Sequence, residues 1–472
     1  MSVGINLLQE KLSLYNNLAS YKTHVGRLSS WLEIFPFPLI KWDFEVLGDE
    51  VKQKGPLRVD FPMSPIKGYQ FEIPKPLPTM DSHNLILPKE VLAGNAAQAI
   101  IGDLGFKGHY FNFYLPNTRF QAVNIMGQND IEKHHIVGKK ELGVEAGGKQ
   151  LQSQLDDVWY VTLTSDKEAL TWLDEQKSNF GTRITSIGVL HSAMDSKTKF
   201  IDYPNLTLAE AQLYTDTLSI LLSFLNGGYV GPLYIEGNYY SSPTETITEP
   251  SAIALVPWIT PLELLGISWC TYDSDLPTYL RCFQTLRHML SQFPWNETFG
   301  LVLSWYFQAI QPEFMGGGKM WQVVANALGT ALERLSYTIL VLEEENPSLR
   351  EKAGLLFNTN QNKINKAWGK GVKASVKRLQ LILERIGISL DRGYWDVNEV
   401  EKFIYLRNQA THPKKELIEQ KDIAYILEQA TQWVYEIILW RLGYNGKYLI
   451  MPAPGRQSTS HRYDLSSRNP SW

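Results

Sequence analysis

Arg407-Asn408-Gln409-Ala410-Thr411-His412-Pro413 is a short polar break between two strongly amphipathic helical patterns. The pattern before it opens with Asp396 as a candidate N-cap and Glu399 three residues on. Val400, Phe403, Ile404 and Leu406 supply its apolar positions. After the break, Pro413 takes a natural first-turn position, and Ile423, Ile426, Leu427, Ala430, Val434, Ile437 and Ile438 trace a core face. Read as helix, break, helix, this stretch makes the C-terminal part of the chain an all-α bundle. It also sets Arg407 at the end of one helix and His412 immediately before the N-terminus of the next.

That placement has chemical consequences. Unpaired N–H groups and the helix dipole favour an anion where His412 sits. The same field disfavours imidazolium and helps keep His412 neutral enough to act as a base. Arg407 offers a planar fork of donors to a phosphate and to charge developing on it. Together they suit phosphodiester cleavage in RNA, where the ribose 2′-hydroxyl is an internal nucleophile and no metal is required. The plainer alternative is a capping pair, with the arginine near helix-terminal carbonyls and the histidine as a polar N-cap. For Asn408 a helix C-cap competes with a role at the phosphate.

An arginine followed by histidine after four to six residues arises by chance about once in a chain of this composition. It does recur. Arg456 and His461 have the same spacing in a tail without helical context, and Arg281 and His288 fall seven apart inside one expected helix, on a shared face. Only the 407–412 copy sits between two helices.

Outward from the junction, helical periods predict segments at 276–292, 296–311, 319–345, 361–386, 396–409 and 413–442. Lys363, Lys366, Lys370, Lys373 and Lys377 follow one helical stripe, beside an apolar stripe through Val376, Leu379 and Leu383. The stripe reads either as a phosphate-tracking strip for RNA or as an ordinary solvated face. Gly316-Gly317-Gly318-Lys319 lacks the Ser or Thr that a phosphate loop needs after its lysine, so it is expected to be a turn. His134 and His135 have no partner at ligand spacing, so no metal and no cofactor are expected.

The N-terminal part has a different rhythm. Leu39–Val46, His109–Leu115, Val158–Leu163 and Ile184–Leu190 alternate or run apolar in strand-length blocks, with Pro74, Pro76 and Pro78 as punctuation. Strand follows strand with few helices between, which predicts a mostly antiparallel sheet. Phe111, Phe113, Tyr114, Trp159 and Tyr160 are expected in its core. One helix interrupts it, with Thr207 and Glu210 placed for a capping box and an apolar face of Leu213, Leu218, Leu221, Leu222 and Leu225. The fold class is thus α+β, with a β-rich domain over 1–262, a helical bundle over 263–450 and a polar tail over 451–472.

Composition narrows the function. With 472 residues the chain is too long for one ordinary core. Its 45 basic and 49 acidic residues give a net charge of −4, so any nucleic-acid surface must be local. Two cysteines, Cys270 and Cys282, exclude a disulfide framework. The N-terminus has no signal-peptide pattern, and the best membrane candidate, Ser251–Trp269, is broken by Pro257, Pro261 and Glu263. A cytoplasmic protein without membrane contact is expected.

The phrase Tyr405-Leu406-Arg407-Asn408-Gln409-Ala410-Thr411-His412, following long helices, resembles the signature of the HEPN superfamily of helical-bundle ribonucleases. Ala331-Leu332-Glu333-Arg334-Leu335 resembles the acidic-residue helix of many HEPN bundles, which makes Glu333 an auxiliary candidate. The resemblance covers roughly residues 265–445, and the layout of β-rich half plus bundle is similar to ApeA-like anti-phage abortive-infection proteins. It implies a homodimer or higher homo-oligomer in which two Arg/His pairs line one cleft, and metal-independent RNA cleavage to a 2′,3′-cyclic phosphate. His412 would move the proton, Arg407 would stabilise charge and Asn408 would orient the histidine or a phosphate oxygen. Where some HEPN toxins carry a modified tyrosine two residues after the histidine, this chain has Lys414. A phage-derived trigger sensed by the N-terminal domain is the expected control. The rival expectation is a non-catalytic RNA-binding or scaffolding protein built on the same bundle.

Overall fold

The computed structural model describes residues 11–21, 24–34, 38–49, 58–61, 69–72, 90–118, 150–165, 184–192, 204–238, 251–257, 259–260, 276–311, 320–343, 372–387, 397–411, 420–449 and 467–468. The chain divides into two compact units. The first comprises Met1–Ser223 and Tyr229–Glu263, the second Phe224–Gly228 and Leu264–Trp472. Antiparallel strands dominate the first and helices the second, an α+β protein.

The strands of the first unit are β1 (Lys11–Tyr21), β2 (His24–Glu33), β3 (Leu39–Asp49), β4 (Arg58–Phe61) and β5 (Tyr69–Glu72). There follow β6 (Glu90–Ala96), β7 (Gln98–Ile101), β8 (Lys107–Gly108), β9 (Tyr110–Pro116), β10 (Gln150–Gln154) and β11 (Trp159–Ser165). The set closes with β12 (Ile184–Ser192), β13 (Leu206–Thr207), β14 (Tyr234–Asn238) and β15 (Ala252–Leu255). Thirteen of them form one sheet in the order β10-β11-β12-β9-β14-β15-β7-β4-β5-β1-β2-β3-β6. Every pairing in it is antiparallel.

Alternation explains why these residues form strands. On β3, Ile40, Trp42, Phe44 and Val46 are buried while Lys41, Asp43 and Glu45 are only half buried, the two-residue period of a sheet with one covered face. β9 is buried at every residue, as a central strand should be. Phe111, Phe113, Tyr114 and Trp159 are core, and Tyr160 is half buried and stacks on His191.

Helix α1 (Leu208–Asn226) follows β13. Its capping box is formed: the Thr207 amide donates to Glu210 Oε2 at 2.8 Å, and the Glu210 amide donates to Thr207 Oγ1 at 3.1 Å. Leu218, Leu221, Leu222 and Leu225 are buried, but Leu213 is 59% exposed. The expected apolar face is corrected at that residue, which lies about half a rotation out of phase with Leu222. Tyr214 is turned inward, and its hydroxyl donates to Asp156.

The helices of the second unit are α2 (Leu276–Leu280), α3 (Phe283–Leu290), α4 (Trp295–Ile310), α5 (Trp321–Tyr337), α6 (Val372–Arg385), α7 (Val397–Thr411) and α8 (Gln420–Arg441). α5 is the hub and packs against α4, α6, α7 and α8. Ala325, Ala327, Gly329, Ala331 and Ser336 are buried on it among larger apolar side chains, and such small residues let four neighbours approach one helix. Phe403 and Trp433 meet edge to face, ring centroids 6.0 Å apart. Among the described residues no helix is long and apolar enough to cross a membrane.

Two sequence expectations change in this unit. The segment expected as one helix over 276–292 is two helices with a turn at Arg281 and Cys282, so Arg281 and His288 do not share one helix face. The segment expected over 319–345 gives way after Tyr337 to a π-helical turn, Thr338–Leu342, closed by the Glu343 amide donating to the Thr338 carbonyl at 2.9 Å. In the polar tail, Ser467–Arg468 pairs with Tyr448–Leu449 as a two-residue strand. Gly316–Lys319, His134, His135, Arg456 and His461 lie outside the described residues.

Candidate functional site

The polar stretch after Leu406 is not a break at Arg407. Helix α7 is described through Thr411, whose Oγ1 donates to the Asn408 carbonyl at 3.1 Å. The stretch holds no glycine, and its first strong stop signal is Pro413, which disfavours helix at the residue before it. Arg407 therefore stands inside a helix, one turn from its described end. The expectation that it terminates the helix is corrected, and with it the helix C-cap reading of Asn408. His412 and Pro413 lie outside the described residues.

From α7, Arg407 reaches the hub helix. Its Nη2 donates to Glu333 Oε2 at 3.2 Å. On the other side of that carboxylate, Arg378 of α6 donates from its Nη2 to Glu333 Oε1 at 3.1 Å. The same Arg378 nitrogen donates to Ser375 Oγ, one turn back on α6, at 2.9 Å. Three helices thus bring two guanidinium groups to one carboxylate, each to a different oxygen. Glu333, at 46% side-chain exposure, is the most open of the three; Arg407 shows 27% and Arg378 12%. Ion pairs this exposed contribute about 0–1 kcal/mol each. They orient side chains more than they hold the bundle together.

The notch around them is lined by Gly329, Leu332, Ser336, Leu379, Phe403 and Ile404 as well as the three charged residues and Ser375. Its cavity volume is about 20 Å³, room for little more than one water molecule. Gly329 gives the Arg407 stem its path: a Cβ at that position would lie 2.7 Å from Arg407 Cγ and 3.2 Å from Nε. Glycine inside a helix costs roughly 1 kcal/mol against alanine, and here it leaves the space that the arginine fills.

The structure brings together Arg407 and Glu333 of the residues singled out from sequence. Asn408 is half buried, and its side chain does not line the notch. Lys373 and Lys377 are exposed one turn apart on α6, whereas Lys363, Lys366 and Lys370 lie outside the described residues. Arg378 was missed. The signal was present, since it adjoins Lys377, but one step along the helix rotates it about 100° off the lysine stripe toward the half-buried side. Among the described residues no three His, Cys, Asp or Glu side chains gather to hold a metal.

Residues 292–451 match the family model of the YopA C-terminal domain. The match spans α4 to α8, so all three helices of the notch lie within it. It covers roughly a third of the chain, and the strand-rich unit is outside it. The matched family is not described as HEPN. No curated protein and no solved structure matches the chain.

Proposed function

We propose that the helical unit is a metal-independent endoribonuclease of HEPN type, acting as an anti-phage abortive-infection effector. The observation that carries the reading is Arg407 in a partly open notch against Glu333, five residues before His412 in the chain. The reaction needs one base, one acid and one cation. His412 takes the proton of the ribose 2′-hydroxyl, the P–O2′ bond forms, the P–O5′ bond breaks, and the 5′-oxygen leaves with a proton. Arg407 donates to the phosphate oxygens as their charge grows. The products are a 2′,3′-cyclic phosphate and a 5′-hydroxyl. The strand-rich unit serves as the sensor of a phage-derived trigger, and the active species is a homodimer.

One observation favours a second reading, a non-catalytic RNA-binding or scaffolding protein: Glu333 already engages Arg407. Total RNA incubated with the purified full chain in EDTA separates the two. Cleavage is expected, with Arg407→Ala and His412→Ala each reducing it at least a hundredfold, the range for general acid–base and electrostatic contributions. An all-DNA substrate should resist, because it lacks the nucleophile. Cleavage unchanged in both variants removes the site assignment, and RNA bound but uncut by the wild-type chain favours the second reading.

A further inference from the structure

The arrangement of two arginines on one solvent-facing carboxylate goes further than the Arg/His pair. We propose that Arg378 and Arg407 form a phosphate-binding site, in which the Glu333 carboxylate is the resident occupant that an RNA phosphate displaces. Arg378 is then a second substrate-binding residue, contributed by α6.

Each arginine contacts Glu333 through a single nitrogen, and each uses a different oxygen. That spacing of two donors across two oxygens of one anion is what a phosphate also accepts. Glu333 is the only hydrogen-bond partner of the Arg407 guanidinium among the described residues, so the remaining donors of its fork are available to a larger anion. Arg378 is held independently by Ser375 and by burial on α6. The carboxylate is the exposed member, and so the member that can swing out. A phosphate that takes the same two Nη2 donors must replace it, because each is already engaged by one of the carboxylate oxygens. The exposed Lys373 and Lys377 lie on α6 beside Arg378 and extend its positive charge along the helix.

The proposal rests on RNA as the ligand, so the test reads binding apart from cleavage. The probe is a fluorescent single-stranded 2′-O-methyl RNA, which cannot be cut, titrated with the full chain at two salt concentrations. Arg378→Ala should weaken binding about tenfold and lower the salt slope by about 0.7, the loss of one phosphate contact to a single strand. Glu333→Gln removes the competing charge and should tighten binding severalfold. Arg378→Lys keeps charge and stem, and should fall between wild type and alanine; it carries the test if Arg378→Ala melts early. Wild-type affinity in a folded Arg378→Ala protein, or no gain in Glu333→Gln, overturns the proposal. Neither result touches the cleavage assay, and a chain that binds through Arg378 without cutting would sink the nuclease reading while leaving this site in place.

Discussion

Gly329 and Arg407 belong to different helices, yet one is explained by the other. An alanine at 329 would gain about 1 kcal/mol of helix propensity, but its methyl would press on Arg407 Cγ from 2.7 Å. The stem must move, and the guanidinium leaves its contact with Glu333. Because Cγ lies near the root of the stem and not at its flexible end, overpacking offsets the propensity gain. Gly329→Ala is therefore expected to bring no gain in melting temperature and to lower RNA cleavage about tenfold, the cost of a misplaced group at the proposed site. Cleavage at the wild-type rate would show that the path over Gly329 is not needed. A second residue tests the core. Cys282 is buried, and burial pushes its thiol up to about 12. At pH 8 it stays protonated and a poor nucleophile. Iodoacetamide should leave Cys282 unmodified in the native protein and alkylate it in urea, with peptide mass spectrometry as the readout. Rapid native alkylation would mean that α2 and α3 open locally.

At the scale of elements, a buried ion pair ties the end of the hub helix to α8. Glu343 follows the π-helical turn, and its Oε1 accepts from Arg441 Nε at 2.6 Å and from the Trp295 indole. Both charged side chains are about 95% buried. Burial pushes the Glu343 carboxyl up, while Arg441 opposes that shift. Glu343→Gln keeps the shape but leaves the Arg441 charge buried without its counter-ion, which should cost about 3–5 kcal/mol. Urea unfolding measures it, and a loss below about 1 kcal/mol would mean that water reaches the pair. None of this was legible in the sequence, because Trp295, Glu343 and Arg441 share no local pattern. What was legible follows local periods: the β3 alternation, the Thr207 capping box and the α8 face from Ile423 to Ile438, whose apolar residues are buried. The end of α7 was misread for a physical reason. Asn, Gln, Ala and Thr can ride on a half-exposed helix face as readily as in a loop, and only Pro413 marks a stop. The order of the sheet was equally out of reach, since β9 lies between β12 and β14 through pairings far apart in the chain.

For the whole molecule, the half of the proposed site that carries Arg407 is built within one helical unit, from three helices of a single chain. A cleavage site needs more than one cation on a phosphate; it needs a base and an acid on opposite sides of the phosphorus. One Arg407–His412 pair per chain supplies one histidine, and the HEPN-type proposal obtains the second from a second copy. Homo-oligomers of this kind are mostly two-fold, which would set two identical notches facing one substrate path. Specific cleavage activity should then rise with protein concentration and level off as the dimer saturates. Sedimentation velocity run across the same concentrations should show the monomer giving way to dimer at that same point. Mixing wild type with excess Arg407→Ala should depress activity beyond simple dilution, because mixed dimers carry an incomplete cleft. Constant specific activity over a hundredfold dilution, in a chain that sediments as a monomer throughout, would confine the chemistry to one copy. The acid would then have to come from a residue other than a second His412.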